Sequence, residues 1–165
     1  MNKNLILILC FIITTYACKN HDSAQESVFK VVMKVQSDNN TTFHMHYKEE
    51  GDENFTKHKV INGVILKGNE VEFKLPKNSF PISLRFDFGN KIVLQHYTFK
   101  SMLITYEDLK MNLSLVEFNA FFSPNKYINF NKKNGEIYNK VINGKSDPYF
   151  ISRPFFDKKL EIEKR

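Results

Sequence analysis

The sequence predicts an all-β fold, an antiparallel sandwich or barrel. Three observations predict it. Short segments of alternating apolar and polar residues recur at steady spacing. Gly, Pro, Asn and Asp punctuate the gaps between them. No segment holds a helical period over three turns. The composition agrees: 16 Phe and 7 Tyr suit pleated, half-buried surfaces.

Taken in order, Phe29, Val31, Met33 and Val35 alternate with Lys30, Val32, Lys34 and Gln36, and Asp38-Asn39-Asn40 marks a turn. In TFHMHY, Phe43, Met45 and Tyr47 share one face of a strand and His44 and His46 the other. EEGDEN is a charged turn. Lys57 to Ile61 is a further strand, closed by Asn62-Gly63, a hairpin signal. VILKGNEVEFKLP gives two strands around Gly68-Asn69, with Val71, Phe73 and Leu75 inward. ISLRFDFGN sets Ile82, Leu84, Phe86 and Phe88 against Ser83, Arg85 and Asp87. Strand character continues through Ile92 to Leu94 and His96 to Thr105. Tyr106 to Lys110 reads as a helical turn or a loop. Leu113 to Phe121 is apolar enough for a buried strand, and FISRPFF and LEIEKR close the chain as an edge strand.

The first 18 residues, MNKNLILILCFIITTYAC, carry a lysine and then an unbroken apolar run from Leu5 to Ile13. The run falls short of the roughly 20 residues a spanning helix needs. A positive start, a short apolar stretch and a small residue before a cut describe an export signal. Ala17-Cys18 resembles the end of the lipobox of bacterial lipoprotein signals, where the cysteine thiol takes the lipid. An ordinary secretory signal is the alternative. After cleavage Cys18 would be the one cysteine left, without a disulfide partner, and lipidation explains it. The expected organisation is a signal peptide at 1–17, a lipidated cysteine and polar tether at 18–27, and one domain at 28–165. The mature 148 residues suit a single core. The expected location is the bacterial cell envelope, anchored to a membrane and facing periplasm or exterior.

The formal charge of +6 comes from lysines interspersed with apolar and acidic residues, as in KVVMKVQ. A nucleic-acid footprint would gather them on one face, so no nucleic-acid partner is expected.

Motifs of chemistry are sparse. There is no G-x-S-x-G and no Gly-rich phosphate loop. His44, His46 and Glu50 could hold a metal, since histidines two apart share a strand face. Their spacing resembles the first motif of the cupins, metal-binding β-barrels, and implies a metal-dependent enzyme. No second cupin motif follows, and the alternative is two solvent-facing histidines opposite a core row. Glu49, Glu50, Asp52 and Glu53 crowd one turn without the pattern of a calcium loop. Arg85 and Asp87 share a face about 7 Å apart, as a register-pinning ion pair or as ligand groups. In the Asn-rich loops, Asn125, Tyr127, Asn129, Tyr138 and Tyr149 could stack on and bond to a sugar, or serve as lids over the core.

From Asn69 to Ile104 a strand ends in Leu-Pro, then comes a connector, LRFDFG, and two more apolar strands. This order resembles a jelly-roll β-sandwich module of bacterial envelope proteins, including domains fused to membrane glycosyltransferases. Phe122-Ser123-Pro124-Asn125 and Ser146-Asp147-Pro148 are similar to its tail, so the resemblance runs from Val28 to Pro148. It implies a jelly-roll-like sandwich and a non-enzymatic binding module for carbohydrate or another envelope component, with no cofactor. The partners expected are a membrane through the lipid anchor and a glycan or an envelope protein. A structural subunit of an envelope complex is a further alternative.

Overall fold

A computed structural model describes residues 27–37, 41–56, 58–89 and 94–164. The signal segment, Cys18 and most of the tether lie outside the described residues. So do the Asp38-Asn39-Asn40 turn, Lys57 and positions 92–93 of an expected strand.

The described residues form two antiparallel sheets packed face to face, the sandwich of the two predicted forms. In chain order the strands are β1 (Lys30–Ser37), β2 (Phe43–Lys48), β3 (Val60–Asn62), β4 (Val64–Leu66), β5 (Glu70–Lys74), β6 (Ser83–Phe88), β7 (His96–Tyr106) and β8 (Leu109–Ser114). Helix α1 (Leu115–Phe121) leads into β9 (Phe122–Pro124), β10 (Ile128–Phe130), β11 (Glu136–Asn139) and β12 (Tyr149–Ser152), and α2 (Pro154–Glu163) follows. The larger sheet runs β10-β11-β7-β1-β5-β4, with β8 also on β7. The smaller runs β3-β2-β6-β12-β9. The chain crosses repeatedly from one sheet to the other, in jelly-roll fashion.

Period-two alternation aims the apolar faces inward as expected. Val31, Met33, Val35, Phe43, Met45, Tyr47, Val71, Phe73, Leu84, Phe86 and Phe88 are all buried between the sheets. Ile82 stays partly exposed, before β6 begins. β7 needs a correction of phase: Tyr97 and Phe99 point inward, and so do Met102 and Ile104. The β1 register jumps from Val35↔Phe99 to Lys34↔Ser101, leaving Lys100 as a bulge residue. One extra residue restores the inward phase and bends the strand. The far edge of β7 changes partner there, from β11 to β8.

Asn62-Gly63 is not a hairpin turn. β3 pairs with β2 and β4 with β5, so the chain steps from one sheet to the other at Gly63. A Cβ at Gly63 would lie 2.5 Å from Val71 Cγ1 and 2.9 Å from Phe73 Cε1, so close packing calls for glycine here. Tyr106 to Lys110 contains a tight β7–β8 turn with Glu107 at φ 48°.

Two expected strands are helical in part: Leu113 and Ser114 end β8 before α1 begins, and Phe150, Ile151 and Ser152 are strand as expected but lie inside the smaller sheet, between β6 and β9, with the helix following. Within Leu113–Phe121, Ser114 caps α1: its hydroxyl accepts from Glu117 N, and Glu117 Oε2 accepts from Ser114 N at 2.8 Å. This Ser-x-x-Glu box satisfies free N–H groups at the helix start. In the C-terminal segment, Pro154 sits in the first turn of α2, where its missing N–H costs nothing. Neither helix is long enough to stand alone. Phe118 docks α1, and Phe156 and Leu160 dock α2.

Candidate functional site

A linked group of charged and aromatic side chains lies on the outer face of the smaller sheet. β2, β6 and β12 are neighbours there, so His44, Asp87 and Tyr149 fall in one cross-strand row and His46, Arg85 and Ile151 in the next. Arg85 grips Asp87 along its own strand face, Nε to Oδ1 at 2.7 Å and Nη2 to Oδ2 at 2.8 Å. This two-point geometry matches the flat guanidinium to a carboxylate. Nη2 also reaches Asp147 Oδ1 at 3.2 Å. His46 Nε2 lies 3.2 Å from Asp87 Oδ2, and the guanidinium carbon sits 3.8 Å from the centre of the Tyr149 ring.

Burial works against both charges. The bonds from His46 and Arg85 outweigh it at Asp87 and hold that carboxyl below the usual aspartate range. Likewise the bonds to Asp87 make Arg85 hold its proton more tightly than usual. The backbone around Tyr149 is fixed by Asn125. Asn125 Nδ2 donates to Asp147 O at 2.6 Å, and Oδ1 accepts from Tyr127 N at 3.1 Å and Tyr149 N at 3.4 Å.

Of the residues singled out from sequence, Arg85, Asp87, Tyr149 and Asn125 come together, and His46 joins them. Tyr127 packs beside Lys126, 5.1 Å from Nζ to ring centre. Asn129 and Tyr138 are cross-strand partners on β10–β11 in the larger sheet, where Tyr138 stacks on His96 at 4.6 Å. They belong to a different surface. Glu50 is highly exposed and lies near Lys164 Nζ at 3.5 Å, while His46 is engaged with Asp87. Among the described residues no three His, Cys, Asp or Glu side chains are grouped to hold a metal. In the acidic turn, Lys59 Nζ lies 2.8 Å from Glu49 and 2.5 Å from Asp52, so a lysine ammonium fills the centre of that cluster.

Compared with protein-family models, with curated proteins and with solved structures, the chain matches none. Its site is therefore read from its own geometry.

One group escaped the sequence reading. Ser83, Ser152 and Asp157 meet where β6, β12 and α2 converge. The Ser152 hydroxyl donates to Asp157 and lies 3.0 Å from the Ser83 hydroxyl. A cleft of about 590 Å³ opens beside them, rimmed by Lys48, Lys158 and Lys164 and by Glu50 and Glu161. Serines 69 positions apart offer no local signal. Burial pushes the Asp157 carboxyl above its ordinary range, although the serine bonds pull it down. A raised native pKa gives stability that is complete below the unfolded value and is lost as pH rises through the native one. Asp157→Asn is therefore expected to stabilise the fold at pH 7, with the gain vanishing below about pH 4. Urea midpoints at the two pH values check this. A loss at pH 7 would mean that the field of the α2 N-terminus holds the carboxylate ionised.

Proposed function

We propose that this chain is a lipid-anchored envelope protein whose sandwich binds a neutral, hydroxyl-rich ligand, a carbohydrate, on the outer face of the smaller sheet. The address is supported by the lipobox-like Ala17-Cys18 and by the lone cysteine it would leave. One observation carries the ligand reading. Arg85 is already matched by Asp87 and Asp147, so the group offers donors and acceptors side by side without excess positive charge. A phosphate or sulfate would meet two carboxylates. Sugar hydroxyls can donate to Asp147, which is more than half exposed, and accept from the guanidinium beside the Tyr149 ring.

The test is a titration of amide chemical shifts with neutral oligosaccharides, peptidoglycan fragments, and inorganic phosphate. Shifts gathered on His46, Arg85, Asp87 and Tyr149 with a glycan, and lost in Tyr149→Ala, are expected. Phosphate shifting the same residues more strongly than any glycan would overturn the ligand class. For the address, Cys18→Ser is expected to release the exported protein from membranes into the soluble fraction. A mass of the exported wild-type protein that shows no acyl chains would refute lipidation.

A second reading, a subunit of an envelope complex, draws on β4. This strand ends the larger sheet, and Val64, Ile65 and Leu66 are all exposed on it. Edge strands are ordinarily protected by charge or proline. If β4 is where a partner strand adds, Ile65→Lys abolishes co-purification of that partner and leaves glycan shifts intact.

A further inference from the structure

We infer that the end of the sandwich carrying α2 rests on a phospholipid surface, with Phe155 and Ile162 entering the headgroup boundary. This rests on the lipid-anchoring reading above and assigns which face of the domain meets the membrane.

The first observation is the solvent side of α2. At 100° per residue, Phe155 and Ile162 lie about 20° apart around the helix. Phe156 and Leu160 occupy the buried flank. Phe155 is 70% exposed and Ile162 59%. Lys158 and Lys159 flank this ridge, one on each side, each paired with a glutamate of the same helix, Glu161 at 2.8 Å and Glu163 at 3.1 Å, so the ridge is apolar between neutralised charges. Phe155 also stacks on the half-buried Phe121 of α1 at 5.7 Å, which widens the apolar surface and fixes the ring. An apolar ridge flanked by long charged side chains suits the interface: the ring and the aliphatic side chain enter the headgroup layer while the lysine stems keep their charges in water.

Exposed apolar side chains are common, so the ridge needs a reason to meet lipid. The path of the chain supplies it. Lys30 at the start of β1 faces Lys74 and Thr105, which places Ser27 at one end of the sandwich. Asn78, in the connection from β5 to β6, donates its N–H to Ser27 O at 2.9 Å. That connection delivers the chain to Ser83, whose hydroxyl lies 3.0 Å from that of Ser152, and α2 begins two residues later at Pro154. The N-terminal approach and α2 thus share an end. Cys18 precedes Ser27 by nine residues, which span roughly 30 Å when fully extended. A lipidated Cys18 therefore keeps this end within roughly 30 Å of the bilayer, nearer on average than the opposite end. Two anchoring contributions, acyl chains and an apolar ridge, make a stable attachment where one is marginal.

The chain contains no tryptophan, so Phe155→Trp introduces a sole indole. The acylated full-length variant is reconstituted into phosphatidylcholine–phosphatidylglycerol vesicles containing brominated lipid. Leu94→Trp serves as reference; Leu94 is 74% exposed and precedes β7 at the opposite end. The indole at position 155 is expected to shift to the blue and lose most of its emission, while the one at position 94 stays unquenched. If the acylated protein sits on vesicles and the two indoles behave alike, the inference fails and anchoring stands. If the protein proves to lack acyl chains, anchoring fails. The Cys18→Ser, Phe155→Trp variant titrated with the same vesicles then decides the surface alone. Quenching that grows with lipid concentration upholds it, and emission that stays unchanged up to saturating lipid overturns it.

Discussion

Phe118→Ala is expected to remove about 3–5 kcal/mol of stability, the range for emptying an aromatic site in a core. Phe118 is the fully buried residue of α1 and the centre of a ring cluster. It stacks on Phe99 at 4.0 Å and on Phe122 at 4.9 Å, and its ring centre lies 5.1 Å from that of Phe150. Those partners come from β7, β9 and β12, so one side chain ties α1 to both sheets. Close-packed interiors relax only partly around a void. Val116→Ala in the same helix, at a site 76% exposed, should stay within about 0.5 kcal/mol. Urea unfolding of the two variants separates them. Equal costs would mean that α1 is held by its cap and not by Phe118.

The second large effect is expected at Asp87. Asp87→Ala should cost about 1–3 kcal/mol, because it leaves a partly buried guanidinium with only the exposed Asp147 and takes the carboxylate from His46. The pH dependence carries a definite sign. A carboxyl whose native pKa is depressed stabilises the fold above its unfolded value, near pH 4, and the contribution is lost as pH falls through the native pKa. The gap between wild type and Asp87→Ala should therefore be full at pH 6 and shrink on acidification below pH 4. Replacing both partners, Arg85→Met with Asp87→Leu, should recover much of the stability, since it leaves no partly buried charge unmatched on β6 and Asp147 is more than half exposed to water. That double variant separates the roles of the pair. Retained stability with lost glycan shifts assigns Arg85 and Asp87 to the ligand; retained shifts assign them to strand register.

The part of this site that was legible in the sequence is the part that lies on one strand. Arg85 and Asp87 had to share a face because side chains alternate along β6, and the same rule paired His44 with His46. Asp147 and Tyr149 stand far away in the chain and reach Arg85 only because β12 pairs with β6 and Asn125, farther still, fixes the approach to β12. The separation of Tyr138 and Asn129 onto the larger sheet follows from pairing too, since β11 joins β7 and not β12.

The sequence by itself determined the all-β class, the inward faces of β1, β2, β5 and β6, and the outward placement of their charged residues. Alternation with period two is a local property, and burying one face of each strand leaves no freedom about which side turns inward. The tertiary structure decided what local pattern cannot carry: the bulge at Lys100, the passage between sheets at Gly63, and the helical state of α1 and α2. The bulge and the passage are fixed by neighbours distant in sequence, Val35 in one case and Val71 and Phe73 in the other. The helices span only seven and ten residues. At that length periodicity gives a faint signal and intrinsic helix formation is weak. Docking of Phe118, Phe156 and Leu160 settles their state, with Ser114 and Pro154 marking where each begins.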